Sequence, residues 1–234
     1  MTNPSRIADN LAAVRERIAA AAVRAGRSLG DVRLVAVTKY VGPDEIAALR
    51  DAGCQDFGES RPQSLWQRAE AFGGPNVRWH LIGHLQRNKV PRTVAAAHLI
   101  HSVDSDRLLR AIDAEAAARQ QASDVLLEVN ISGDATKHGV KPGEISSLIA
   151  AAAECPHIRL LGLMTMASRE GDLAGARMEF DRLRVLRDRI VTEGLPANVT
   201  LAELSMGMSG DFEQAVEAGA TIVRVGSALY EGLE

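Results

Sequence analysis

Val32-Arg33-Leu34-Val35-Ala36-Val37-Thr38-Lys39 is a short apolar run of strand type that ends on a lysine and then breaks at Gly42-Pro43. β-Branched and small residues closed by glycine and proline read as a fully buried strand. A lysine at its end is out of place for packing alone. Lys39 then has two readings. It can snorkel from the strand end into water, as most lysines do. Alternatively, at the inner end of a buried strand its ammonium is poorly solvated, its pKa falls, and it serves as an amine nucleophile toward a carbonyl.

Outward from that strand the same unit repeats. Strand candidates at 32–37, 54–57, 77–82, 99–101, 125–129, 160–163, 200–204 and 221–225 alternate with helical patterns. Those patterns begin near Pro43, Ser60, Gln86, Ser105, Pro142, Asp172 and Ser209, with a short helical turn near Ser227. Eight β-then-α units predict a single α/β domain over 1–234, a closed (β/α)8 barrel of TIM type. An open doubly wound sheet is the alternative, but it would more often carry a glycine-rich loop after its first strand. Thr38-Lys39-Tyr40 holds that place here. Ahead of the barrel, Asn3-Pro4 reads as a cap and first-turn proline, and Ile7, Leu11, Val14 and Ile18 recur at helical spacing. Segment 1–30 is therefore expected to be an additional leading helix. No linker, low-complexity stretch or second domain is visible.

Composition narrows the partners. The chain is 46% hydrophobic and 24% charged with a net charge of −3, and only 3% of its residues are aromatic. Few stacking surfaces and a slightly acidic balance argue against nucleic acid. Cys54 and Cys155 are isolated and fit no metal or redox spacing, as expected of packing cysteines in a reducing cytoplasm. No apolar run approaches the roughly 20 residues of a membrane span, and no signal pattern opens the chain. A cytoplasmic monomer with no membrane association is the expectation.

The chemistry concentrates on one rim. Barrels hold ligands in the loops beyond the strand carboxyl ends, with phosphate favoured after strands seven and eight. Those loops read Leu204-Ser205-Met206-Gly207-Met208-Ser209-Gly210-Asp211 and Arg224-Val225-Gly226-Ser227-Ala228. Glycine amides, serine hydroxyls and a helix start make Ser209, Gly226 and Ser227 a candidate phosphate cup. Either loop alone would read as an ordinary helix cap. Two of them opposite a strand-end lysine point to a phosphorylated carbonyl ligand. Arg224 sits within the eighth strand, either as an ion-pair partner or aimed at the ligand. Facing a ring nitrogen, an arginine would donate to it without protonating it, and so weaken the ring as an electron sink. The polar loops 132–136 and 168–171 are expected on the same rim.

Several stretches together resemble the pyridoxal phosphate homeostasis protein family, cofactor-binding barrels related to the alanine racemase N-terminal domain. They are Val35-Ala36-Val37-Thr38-Lys39, Phe57-Gly58-Glu59, Trp79-His80-Leu81-Ile82-Gly83-His84-Leu85-Gln86-Arg87-Asn88-Lys89, Val129-Asn130-Ile131-Ser132, Lys137-His138-Gly139, Gly162-Leu163-Met164, Leu204-Ser205-Met206-Gly207-Met208-Ser209 and Arg224-Val225-Gly226-Ser227-Ala228. The resemblance implies pyridoxal 5'-phosphate as cofactor, an internal aldimine on Lys39, phosphate held by Ser209, Gly226 and Ser227, and Arg224 at the pyridine nitrogen. It departs at Ser60, where family members carry an asparagine near the cofactor. The shorter side chain is expected to reach the cofactor through water, and Pro62 suits the first turn of the next helix.

Other residues have plainer readings. His80 and His84 lack the glutamate and helical setting of a zinc motif, so no metal is expected. His84 reads as a cofactor-rim or a structural residue, and His98 and His101 as structural. Met164, Met166, Met206 and Met208 read mainly as core fillers, with Met208 expected at the ring. Lys137 reads as a surface lysine, or as a second amine through which the aldehyde passes. A racemase on this fold needs a second acid/base opposite the lysine. Tyr40 is expected to point away from Lys39 by strand alternation, and Tyr230 to lie in a terminal helix. The expected function is therefore binding, buffering and delivery of the cofactor to apo-enzymes, with no dedicated catalytic residue. The rivals are a weak pyridoxal-phosphate racemase or lyase, and a cofactor-free Schiff-base aldolase.

Overall fold

The computed structural model describes residues 3–134, 136–168 and 171–233. Ala135, Arg169 and Glu170 of the two polar loops lie outside the described residues. Strands β1 (Arg33–Val37), β2 (Asp56–Glu59), β3 (Arg78–Leu81), β4 (Leu99–Val103), β5 (Ser123–Glu128), β6 (Ile158–Met164), β7 (Val199–Ser205) and β8 (Ile222–Val225) pair in chain order. Every pairing is parallel, and β8 returns to β1 with Val35 beside Arg224. The sheet is thus the closed barrel expected, and all eight strands form.

Helix α1 (Pro4–Arg24) precedes the barrel, and α2 (Pro43–Asp51), α3 (Pro62–Ala71), α4 (Val90–Ala96), α5 (Asp106–Ala118), α6 (Ile145–Ala153), α7 (Leu173–Glu193) and α8 (Phe212–Glu217) follow successive strands. Among the described residues after β8 there is only a three-residue 3₁₀ turn, Ser227–Leu229. The place that an eighth outer helix would occupy is taken by α1, which packs against α2, α8 and that turn. Its stripe of Ile7, Leu11, Val14 and Ile18 is buried as expected. Asn10 Nδ2 donates to the carbonyls of Leu229 at 3.2 Å and Glu231 at 2.9 Å, which ties the turn to the helix.

Boundaries move where termination chemistry overrides apolar pattern. The second strand starts at Asp56 instead of residue 54, because the Cys54 amide donates to Leu49 O at 2.9 Å and so closes α2. The helix expected from Ser60 starts at Pro62, which leaves Ser60 on the loop. The patterns at Gln86 and Pro142 open with 3₁₀ turns, Arg87–Lys89 and Pro142–Glu144, before α4 and α6. The one at Ser209 becomes helical only at Phe212.

Between sheet and helices lies one large apolar layer. Inside the barrel the apolar residues are few: Val35, Leu99, Leu126, Met164 and Ile222. The rest of the interior is polar, with Asp56, His80, His101, Ser205 and Arg224 all buried. Buried polar groups persist only when bonded, so this column demands an accounting of its partners. Among the described residues no helix is long and apolar enough to cross a membrane.

Candidate functional site

All seven residues singled out as cofactor-binding line one cavity of about 940 Å³ beyond the strand carboxyl ends: Lys39, Ser60, Met208, Ser209, Arg224, Gly226 and Ser227. Lys39 departs from the expectation in one respect. β1 ends at Val37, so Lys39 and Tyr40 stand in a turn, and Lys39 is exposed. Burial is therefore not what prepares this amine. Strand alternation does not apply beyond the strand either, and Tyr40, 87% exposed, lines the same cavity with the Lys39 Nζ 4.8 Å from its ring centre. This corrects the expectation that Tyr40 faces away.

The lysine turn is held from beneath by residues the sequence did not single out. Arg68 of α3 donates to the carbonyl of Val41 at 2.8 Å and to that of Thr38, and pairs with the buried Glu59 carboxylate. Thr38 Oγ1 donates to the same carboxylate at 2.5 Å. Burial raises the Glu59 pKa, opposed by Thr38, Arg68 and Lys39. From the other side the Tyr230 hydroxyl donates to Val37 O at 3.1 Å. Tyr230 lies just past the 3₁₀ turn instead of within a terminal helix.

The candidate anion cup is built from amides. Ser209 Oγ accepts from the amides of Gly226 at 3.0 Å and Ala228 at 3.4 Å, so two N–H groups converge on one oxygen position. Gly207 makes the loop possible: its φ is +90°, and a Cβ there would lie 2.5 Å from Ala215 Cβ. The expected helix dipole contributes little, since Ser227–Leu229 is a single 3₁₀ turn. Amides, two serine hydroxyls, a free-standing amine and a cation at the floor match a ligand with phosphate, carbonyl and ring nitrogen. Of the four methionines, Met166 and Met208 line the cavity, whereas Met164 and Met206 are buried core. Lys137 Nζ donates to Met166 O at 3.3 Å, which puts this amine against the cavity wall.

The floor is Arg224, 3% exposed. Its guanidinium donates to Ser205 Oγ at 2.5 Å and to Thr165 O at 2.9 Å. Burial lowers its pKa to about 10, which leaves it cationic at neutral pH. Behind it runs a single file of hydrogen bonds: Ser205 Oγ to His101 Nδ1, His101 Nε2 to His80 Nδ1, and His80 Nε2 to Asp56 Oδ1, each 2.9 Å. Arg78 closes the file with Nη2 at 2.6 Å and Nε at 2.8 Å from the Asp56 carboxylate.

The two ends dictate every proton between them. Arginine only donates and a carboxylate only accepts. Burial lowers the pKa of both histidines, so both rings are neutral. His80 must then donate from Nε2 to Asp56 and accept at Nδ1. His101 likewise donates from Nε2 and accepts at Nδ1, and the Ser205 hydroxyl proton goes to His101. Burial works against the charge of Asp56, but its bonds from His80 and Arg78 prevail and hold its pKa at about 2. The file fixes the guanidinium at the cavity floor without using a carboxylate next to it.

Residues 9–234 match the alanine racemase N-terminal domain, so the barrel and its rim belong to that class of protein. A protein of Aquifex aeolicus named pyridoxal phosphate homeostasis protein is 40% identical over 222 residues, covering 95% of this chain and 96% of its own. The chain belongs to the pyridoxal phosphate homeostasis protein family. A crystal structure of an unknown protein from Bifidobacterium adolescentis superposes with a TM-score of 0.89 at 39% identity, covering 97% of this chain and 95% of that one. PipY of Synechococcus elongatus, solved with PLP bound, superposes with a TM-score of 0.83 at 30% identity, covering 96% and 99%.

Proposed function

We propose that this chain binds pyridoxal 5'-phosphate reversibly and serves its storage and delivery to apo-enzymes. The observation that carries this is the meeting, in one cavity, of the Lys39 amine, the Ser209–Gly226–Ala228 cup and the Arg224 floor. When bound, the cofactor supplies an electrophilic aldehyde and an electron-withdrawing ring. Lys39 offers its amine to the aldehyde as covalent anchor. Ser209, Ser227 and the converging amides hold the phosphate, while Met208 packs against the ring and Ser60 reaches it through water. Arg224 donates to the ring nitrogen and, remaining charged, withholds the proton that carbanion chemistry would need. The family name of the relatives supports homeostasis in place of a dedicated reaction. Lys137, bonded to the cavity wall at Met166, is the amine placed to take the aldehyde during handover. The protein acts as a monomer in the cytoplasm.

The visible spectrum of the purified protein, before and after borohydride, tests this reading. A yellow band abolished by borohydride, with a phosphopyridoxyl mass on the Lys39 peptide, is expected. A colourless protein that takes up no added pyridoxal phosphate overturns it. A second reading, weak racemase or lyase activity, is favoured by one observation: Tyr40 lines the cavity beside Lys39 and offers a phenol for proton transfer. Amino-acid turnover by the loaded protein that is lost in Tyr40→Phe would establish it.

A further inference from the structure

Three loops on the cavity side of the barrel bring together residues that no sequence spacing connects. His84 follows β3, Asp104 follows β4, and His138 lies beyond β5. One ligand atom from each falls within 4.8 Å of the other two. The His84 and His138 rings are stacked, 4.6 Å between centres and 17° from parallel, and His84 Nδ1 is 3.6 Å from Asp104 Oδ2. Two imidazole nitrogens and one carboxylate oxygen are a donor set for a borderline transition cation, with positions left for water.

The ligands stand on fixed supports, as metal sites require. The Ser102 hydroxyl donates to Gly83 O at 2.7 Å and pins the residue before His84. A Cβ at Gly83 would lie 2.3 Å from Ser60 O, so this loop is seated tightly on its neighbour. Asp104 adjoins the end of β4, and its Oδ1 accepts from Ser105 Oγ at 3.3 Å, which leaves Oδ2 toward His84. His138 is two residues from Val140, which pairs with Val129 in an isolated parallel bridge.

We propose that His84, Asp104 and His138 form a binding site for a single divalent transition cation, zinc or a close relative in ligand preference. Occupied, it clasps the loops after β3, β4 and β5 together at the cavity rim. The same clasp restrains Lys137, the residue next to His138. The site stands on its own geometry and does not depend on the cofactor reading.

Calorimetric titration of the whole protein with zinc chloride, with cobalt absorption as the second measurement, tests it. One ion per chain is expected, with intense cobalt bands indicating fewer than six ligands. His84→Ala and His138→Ala should each weaken zinc by about tenfold or more, and Asp104→Asn should do the same. His157→Ala, which alters the separate His157–Asp113 pair 3.7 Å apart, should leave zinc binding unchanged. Both histidines are exposed, so their variants should keep the wild-type melting temperature. Wild-type protein that binds no zinc, or a His84→Ala/His138→Ala double variant that binds it as wild type does, overturns the proposal. So does loss of zinc on changing His157.

Discussion

The cavity floor and the cavity rim are built on opposite plans. At the floor, Arg224, Ser205, His101, His80 and Asp56 are buried and joined in single file. On the rim, Lys39, Tyr40, Met208 and Ser227 are exposed. A satisfied buried network is rigid and expensive to disturb, whereas exposed groups respond to what arrives. The contrast separates two tasks under the proposed function: the floor keeps one cation in one orientation, and the rim is the part that would capture and release.

Substitutions at the two ends should therefore fail differently. Lys39→Ala, the largest expected effect, should abolish borohydride-stable attachment while leaving the thermal midpoint unchanged, because the side chain is exposed. Loss of stability in that variant would break the distinction. His101→Ala should do the reverse in kind. It strands the Ser205 hydroxyl proton and His80 Nδ1 and leaves a void, at a cost of about 3 kcal/mol in denaturant unfolding. Lys39 labelling should persist once the variant is folded.

Acid should act through the floor first. His80 and His101 are held neutral by burial, so below the ordinary pKa of 6.5 the unfolded chain takes up protons that the folded rings refuse. Stability should fall as pH drops below that value. A second loss follows through Asp56, whose folded pKa of about 2 lies under its ordinary 3.8. That shift contributes about 2 kcal/mol, present above the ordinary value and lost as pH falls toward 2. Urea titrations at stepped pH check both phases, and His80→Asn should flatten the first. The smallest expected effect is at the rim. Ser209→Ala should weaken cofactor affinity by about tenfold, measured by fluorescence titration, with the Gly226 and Ala228 amides retained.

The barrel was legible because apolar runs and helical periods alternate without interruption, and parallel strands buried on both faces are written as continuous apolar stretches. The lysine and the candidate cup could be placed on one rim because each lies just beyond a strand in a short local motif. The file behind Arg224 was not. Asp56, His80, His101 and Ser205 come from four strands, and each alone reads as a satisfied core residue. Pairing of β2, β3 and β4 brings Asp56, His80 and His101 together, and only the closed barrel carries His101 across its interior to Ser205 on β7. The Arg68 clamp was hidden for the same reason: an arginine on a helix carries no sign that it reaches under a turn 27 residues away. Tyr40 was misread because strand alternation was extended past the last paired residue, Val37.

Helix α1 completes the outer ring, yet its bonds to Leu229 and Glu231 span more than two hundred positions of chain. A ribosome makes α1 and α2 early, and the rest of the surface that α1 docks on, α8 and the turn after β8, much later. For most of synthesis the stripe of Ile7, Leu11, Val14 and Ile18 has no α8 to cover it, and the nascent chain carries part of that adhesive face unprotected. When residues near 230 emerge, a single docking event seals the ring, and the loop it closes is nearly the whole barrel. The same closure works as a proofreading step, because a chain cut short before α8 is left with only the α2 side of the surface that holds its first helix.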